Sequence, residues 1–315
     1  MNGILNVLKP AGMTSFDVVG FLRKVSRQKK IGHTGTLDPS AVGVLPVCFG
    51  NATRAIEFMI DKDKVYRAEL TLGAATDTQD SSGKVIFTGS PEVGDSRIAE
   101  AVMSFKGEIQ QLPPMYSAIK IDGKKLYQLA RQGETVERQP RKINIYDIKI
   151  IRIWDEPADI QDRYAEVRTV VNGCAKKVLF DVHCSKGTYI RTLCHDIGEK
   201  LGCGGHMYFL VRTKAGKYDL DSALTLEQIR ALAEEKRLEE SLLPAETVFE
   251  EFDRIRLDQK ETFKYKNGVW IEVDLKGYDS KPLKRVYDND GIFLGIGEIF
   301  NNQDTLCLKS KKFFL

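Results

Sequence analysis

Apolar and polar positions change period several times along this chain, and the changes mark its elements. "GILNVLKP" is a short apolar run closed by Pro10 and reads as a strand. "TSFDVVGFLRKV" carries apolar residues at helical spacing, with Thr14 or Ser15 as N-cap and Asp17 in the first turn. "VGVLPVCFG" predicts a buried strand, and "NATRAIEFMI" a helix capped by Asn51. "KVYRAELTLG" alternates as a strand does and opens into the polar loop "AATDTQDSSGK". A short helix is expected over 97–106, and "KINIYDIKIIRIW" and "KKVLFDVHCS" are the clearest strands, with β-branched residues at period two. In "TYIRTLCHDIGEKLG" the residues Ile190, Leu193, Cys194, Ile197 and Leu201 repeat at helical spacing, and Gly202 supplies the stop. "TLEQIRALAEEKRLEE" predicts a further helix ending before Pro244.

Beyond about residue 250 the pattern changes to short strands and turns, as in "RIRLD", "GVWIEVD" and "DTLCLKS", which predicts a small all-β module. The strands and helices before it do not alternate as βαβ units, so the fold class is α+β rather than doubly wound α/β. Two domains follow, residues 1–247 and residues 248–315.

Composition narrows the function classes. The chain has 315 residues, 42% of them hydrophobic, which suffices for a sizeable core. No run of eighteen apolar residues and no signal-peptide pattern at the N-terminus is found, so no membrane span or export is expected. Six cysteines lie at 48, 174, 184, 194, 203 and 307 without a CxxC, which favours free thiols and a cytoplasmic location. Net charge is only +3, but it is unevenly spread. "FLRKVSRQKKIGH" holds five cations and no acid, residues 120–142 hold seven cations against three acids, and residues 225–253 hold nine acids against three bases. Two basic segments and one acidic one suit a polyanion bound on one face.

Two stretches carry candidate chemistry. "GHTGTLDPSAVG", residues 32–43, sets Asp38 before a proline and among Gly32, Gly35 and Gly43, so its backbone is pinned while sharp reversals flank it. Such a loop either fixes a reactive carboxylate or is a plain Asp-Pro turn whose side chain caps its own backbone. In "HCSKGTYIRTLC" a strand runs into a helix whose first turn holds Arg191. A cation there opposes the helix dipole at a cost of roughly 0.3–1 kcal/mol, so a carboxylate from elsewhere should compensate it. Asp38 is one candidate among the acids. Tyr66 and Tyr189 are aromatic platforms on which an unstacked base could lie, or ordinary core tyrosines. Cys194, His195, Cys203 and His206 fit no tetrahedral zinc spacing. No GxGxxG at a strand–helix junction, P-loop or GxSxG elbow is present, which disfavours nucleotide cofactors and serine hydrolysis.

Taken together, the motifs resemble the bacterial TruB family of pseudouridine synthases over essentially the whole chain. "LNVLKPAGMTSFDVV" resembles the family's Lys-Pro motif with Lys9 and Pro10, and "GHTGTLDPSAVGVLPVCFGNATR" its nucleophile loop with His33 and Asp38. "YRAEL" supplies Tyr66, "SKGTYIRTL" supplies Tyr189 and Arg191, and "CGGHMYFLVRT" brings Leu210 to the pocket. The resemblance implies a pseudouridine-synthase fold, with a central mixed, mostly antiparallel sheet flanked by helices and a C-terminal PUA-like RNA-binding module. It implies isomerisation of the T-loop uridine at position 55 of tRNA to pseudouridine, without cofactor or metal. Because that uridine lies in a folded loop it must be flipped out.

In that picture the residue at His33 displaces the loop base, Tyr66 packs on the flipped uracil, and Arg191 pairs with Asp38. Asp38, Arg191 and Tyr66 are the implied catalytic group; His33, Tyr66, Tyr189, Leu210, Lys9 and Pro10 would bind substrate. Whether Asp38 acts at sugar C1′ or pyrimidine C6 stays open. In "GAATDTQDSSGKV" either Asp77 or Asp80 fills a position where the family commonly carries an aspartate.

Residues 120–142 resemble the family's thumb insertion, which separates this chain from guide-RNA-dependent relatives. "KKLYQLARQG" can form a short helix with Leu126, Leu129 and Ala130 on one side and Lys124, Lys125 and Arg131 on the others. The implied partner is tRNA, held at the T arm and acceptor stem by a monomer with no protein partner and no membrane. An RNA chaperone using the same surfaces, or a nucleobase glycosylase or deaminase, are the rival classes. A deaminase's zinc signature is absent from the sequence.

Overall fold

A computed structural model describes residues 1–121, 123–157, 174–274, 281–303 and 305–314, with the side chains of Arg131, Pro157 and Cys174 outside the description. The chain begins with β1 (Gly3–Lys9), α1 (Ser15–Ser26), β2 (Ile31–His33), β3 (Val42–Phe49), α2 (Ile56–Ile60) and β4 (Lys64–Leu72). A hairpin of β5 (Ala74–Thr76) and β6 (Val85–Thr88), then α3 (Asp95–Met103) and β7 (Gly107–Gln111), lead to a small excursion. That excursion holds β8 (Lys120–Ile121), β9 (Lys124–Lys125) and α4 (Leu126–Arg131). Two long strands, β10 (Arg141–Pro157) and β11 (Cys174–Cys184), precede α5 (Ile190–Leu201), β12 (Gly205–Ala215), β13 (Tyr218–Asp219) and α6 (Leu226–Glu234). The C-terminal part holds β14 (Arg254–Arg256), α7 (Gln259–Lys266), β15 (Ile271–Glu272), β16 (Leu283–Tyr287), β17 (Phe293–Asn302) and β18 (Thr305–Phe313).

Among the described residues the main sheet has the order β1-β3-β12-β4-β11-β10-β7, with β2 on β3 and β13 on β12. Every pairing is antiparallel except β3 with β12, which share two parallel register pairs, Val42 with Val211 and Gly43 with Arg212. The fold is thus α+β, a mixed, mostly antiparallel sheet with flanking helices. All five periodic residues of α5 (Ile190, Leu193, Cys194, Ile197, Leu201) enter the largest core cluster, against Leu70, Phe180 and Ile98. Helices α1 and α6 cover the β1–β3 end through Val18, Leu22 and Ile229. A second sheet, β14-β16-β17-β18-β15, forms the C-terminal domain. Its Ile296, with Phe249 and Phe314, packs on Ile4, Val44 and Cys48 of the main sheet.

Local chemistry explains the element ends and several departures from the periodic reading. Thr14 caps α1 and forms a capping box with Asp17, while Ser15 is used elsewhere. Gly202 closes α5 at φ 75°. Asn51 does not cap a helix: residues 50–55 are a 3₁₀ turn, the Asn51 N–H donates to Asn2 Oδ1, and its own side-chain oxygen accepts from Lys30. The polar loop after β4 is a hairpin, because Ala74, Ala75 and Thr76 are buried against the body of the protein. Helix α6 stops at Glu234, and Lys236 adopts φ 61°, so the run to Pro244 continues only as a 3₁₀ turn at Leu238–Ser241. The C-terminal module is not all-β: α7 is capped by Asp258 with Glu261 as the reciprocal partner. No helix among the described residues is long and apolar enough to cross a membrane.

Candidate active site

The Asp38 loop spans the gap between β2 and β3, and side chains from three elements fasten it. Leu37 is buried in the main core, and its N–H donates to Ser15 Oγ at 2.8 Å. On the other side of Asp38, the Pro39 carbonyl accepts from the Gly12 N–H at 2.9 Å and from Lys9 Nζ at 3.2 Å. Lys9 is fully buried and also donates to the Pro10 and Met13 carbonyls, at 2.8 and 2.5 Å. Burial brings its ammonium down to about 8, against the opposing pull of Asp38. Lys9 therefore ties the Lys-Pro turn to the loop from beneath, with its donors spent on carbonyls. With Leu37 anchored in the core and Pro39 held to the Lys-Pro turn, Asp38 has little freedom between them.

Arg191, in the first turn of α5, lies against that carboxylate: Nη2 is 3.5 Å from Asp38 Oδ2, and Nη1 is 3.8 Å from Asp80 Oδ2. Nη2 also donates to the Tyr116 carbonyl at 2.6 Å. The Arg191 and Asp80 side chains are 7% and 8% exposed, whereas Asp38 is 36% exposed, so the cluster opens to solvent at the Asp38 tip. Burial lifts the Asp38 carboxyl above its ordinary range; Arg191 pulls it back down, Asp80 pushes it up and Lys9 pulls it down. Of the two aspartates left open by the sequence, Asp80 meets Arg191. Its Oδ1 accepts from Thr78, Ser82 N–H and Ser82 hydroxyl, while Asp77 serves the hairpin by accepting from the Lys84 N–H.

Around this cluster stand the aromatic and apolar residues. Tyr66 on β4 is half-buried, packs on the core that contains Leu37 and Leu210, and has its phenol raised by burial. His33 ends β2, half-buried, with Nδ1 accepting from the Gly35 N–H at 3.3 Å. Burial, then Arg212, hold its imidazole below the usual value, which keeps the ring neutral at pH 7. Tyr189 precedes α5, and the Gln111 carboxamide brackets it, accepting from its N–H at 2.8 Å and donating to its carbonyl at 3.0 Å. The Arg191 guanidinium is 5.9 Å from the Tyr189 ring centre.

The structure thus brings Asp38, Arg191 and Asp80 together, with Lys9 beneath the loop and Tyr189 beside Arg191. Tyr66 pairs with Arg212 across β4 and β12, Leu210 lies two residues before Arg212, and His33 pairs with Val47 on β3. Lys124 is exposed on the separate 120–131 excursion, and Lys125 stands half-buried with its ammonium 5.6 Å from the Tyr127 ring centre. Leu126 and Leu129 bury the opposite side of α4; the Arg131 side chain lies outside the described residues. Three residues that periodicity did not single out also matter. Gln111 holds Tyr189, Asp80 contacts Arg191, and buried Arg212 donates from Nε to the Val44 carbonyl at 2.7 Å and from Nη2 to the Gly35 carbonyl at 3.2 Å.

By comparison with known proteins, the chain is a pseudouridine synthase. Residues 23–190 match the TruB family pseudouridylate synthase N-terminal domain, and residues 191–250 match the tRNA pseudouridylate synthase B C-terminal domain; the chain belongs to the TruB family. It is 54% identical over 244 residues to tRNA pseudouridine synthase B of Alkaliphilus oremlandii, a match spanning 78% of this chain and 74% of that one. It is 43% identical to the protein of the same name from Clostridioides difficile, over 100% of both chains. Among solved structures, a Cbf5–Nop10–Gar1 complex contains a similar chain, with TM-score 0.70 and 24% identity, covering 99% of this chain and 85% of that one. That likeness concerns the fold alone.

Proposed function

We propose that this pseudouridine synthase acts on tRNA and isomerises the T-loop uridine at position 55, with Asp38 as its reactive carboxylate. The observation that carries this reading is the Asp38–Arg191 pair at 3.5 Å, open to solvent at its Asp38 tip. The uridine leaves the base stack and enters the pocket, with the neutral His33 ring taking the place of the departed base. Tyr66 packs on the flipped uracil, and Tyr189 and Leu210 wall the pocket. The N1–C1′ bond then breaks, the uracil turns, C5 bonds to C1′, and the proton on C5 leaves while N1 gains one. Nothing is added or lost, so the RNA mass does not change. Arg191 keeps the Asp38 carboxylate ionised and aimed, against the burial that favours its acid form.

The remaining parts divide the work of holding tRNA. Residues 1–247 form the catalytic domain, the segment 120–142 acts as a thumb over the T arm through Lys124, Lys125 and Arg131, and residues 248–315 form a PUA-like module toward the acceptor stem. The protein works alone, as a monomer without guide RNA, in the cytoplasm, where the free thiols of Cys48, Cys184, Cys194, Cys203 and Cys307 stay reduced.

A T-arm hairpin treated with the protein tests the reading. Mass spectrometry should find one pseudouridine at the position equivalent to 55, an unchanged RNA mass and no free uracil. Release of uracil would make the protein a glycosylase. Asp38→Asn should bind the hairpin and leave it unmodified; conversion by that variant would remove Asp38 from the chemistry.

A further inference from the structure

Arg212 is an unusual residue to find in a sheet interior. It is 2% exposed, and among the described residues no carboxylate lies within ion-pair distance of its guanidinium. Burying a charge without a counter-ion is costly unless its hydrogen bonds do specific work. Its bonds go to two places beside the site. Nε donates to the Val44 carbonyl, just after the Asp38 loop, and Nη2 to the Gly35 carbonyl within it. Tyr66 is its direct neighbour across the β12–β4 register, so the Arg212 charge stands next to the phenol and draws it down against burial.

The backbone is shaped to allow this. Gly43 sits opposite Arg212 in the parallel β3–β12 pair at φ 117°, and a Cβ there would lie 2.2 Å from the Arg212 carbonyl oxygen. Only glycine lets β3 lie so close to Arg212 at that point.

We propose that Arg212 is a positioning residue for catalysis, clamping the Asp38 loop at Gly35 and Val44 while packing beside Tyr66 on the neighbouring strand. The inference rests on the reading of Asp38 and Tyr66 given above. A guanidinium only donates, so backbone carbonyls are its natural partners in a site whose carboxylates belong to Arg191. A rigid fork that bonds two carbonyls in different directions also suits arginine and not lysine, whose ammonium is a point donor on a flexible stem. Arg191 and Arg212 then divide two tasks: the first faces the carboxylate itself, the second fixes the frame around it.

The test uses the full-length protein, a T-arm hairpin and single-turnover rates, with hairpin affinity and thermal midpoint measured alongside. Arg212→Met should slow conversion about 100-fold, as expected when reacting groups lose their alignment. Affinity should stay within about twofold, because the loss is in the chemical step. Arg212→Lys should recover part of the rate. Because Arg212 packs beside Tyr66, Arg212→Met should cost less in a Tyr66→Phe background than in the wild type. The His33 imidazole, followed by NMR, should titrate at higher pH once the Arg212 charge is gone. A rate within about twofold of wild type would overturn the proposal. So would an equal cost in both tyrosine backgrounds, or a rate loss matched by an equal loss of affinity. If Arg212→Met does not fold, the same cycle is read with Arg212→Lys, which keeps the charge. Wild-type conversion and the inertness of Asp38→Asn report separately on the underlying reading, so either can fail without the other.

Discussion

The two buried arginines of the site sit in opposite surroundings. Arg191 faces two carboxylates, Asp38 and Asp80, within 4 Å, whereas Arg212 bonds the Val44 and Gly35 carbonyls. Both are nearly sealed from solvent. The difference teaches what each charge is for. Around Arg191 the charges nearly balance, so that region sets the ionisation of Asp38. Around Arg212, among the described residues, no carboxylate balances the charge, and its value lies in geometry. A single region could not do both: a carboxylate drawn to Arg212 would compete with Asp38, and a guanidinium spent on carbonyls would leave Asp38 and Asp80 facing each other uncompensated.

The largest effect should come from breaking the balanced end. Arg191→Met is expected to slow conversion about 10²–10³-fold, the scale of losing one preorganised charged contact. It should also move the acid limb of the pH–rate profile upward, since Arg191 is the main group holding the Asp38 carboxyl down. An unmoved limb would mean that Asp38 does not titrate in the limb observed. Asp80→Asn sharpens the same point with the opposite sign. Removing the second carboxylate should move the limb downward, with a rate loss under about tenfold because Arg191 keeps Asp38 and the Tyr116 carbonyl.

A smaller effect concerns stability. The Asp38 carboxyl is raised in the folded protein, so its contribution to stability is present at low pH and lost as pH rises through the folded value. At pH 7.5 Asp38→Asn should therefore melt slightly higher than wild type, on the order of 2 °C, and the gain should vanish below the ordinary carboxylate value. Calorimetry across pH checks the sign; a lower midpoint at pH 7.5 would show that the ion pair outweighs burial. The smallest effect lies away from both arginines. Neutralising Lys124 and Lys125 together should flatten the log–log salt dependence of hairpin binding by roughly one to two units and leave the bound chemical step unchanged. An unchanged slope would place the excursion's cations away from RNA.

The sequence made Asp38 and Arg191 visible for physical reasons. The first stands amid turn-forming residues, and the second is a cation at the positive end of a helix, an anomaly that asks for a partner. It could not say which acid answers, because Asp38 and Asp80 lie on different loops and only the packed fold brings both to one guanidinium. Arg212 was illegible for the opposite reason. In "FLVRT" period two sets Arg212 on the face of buried Leu210, but an arginine closing an apolar run reads as a strand end near solvent, and its partners at Gly35 and Val44 lie far away in sequence. Helix α7 escaped because "QKETFKYK" is polar nearly all round; the Asp258 and Glu261 spacing was the available signal, and it is a capping box. The long strands and α5 were plain because burial on one face repeats at the expected period.

Strands β1, β2 and β3 form one antiparallel group and β4, β11, β10 and β7 another, and β12 is the strand that joins them. The Asp38 loop belongs to the first group and Tyr66 to the second, while Arg191 opens the helix that leads into β12. Residues 205–215 are therefore a seam, and the register of that one strand sets how the two halves of the site face each other.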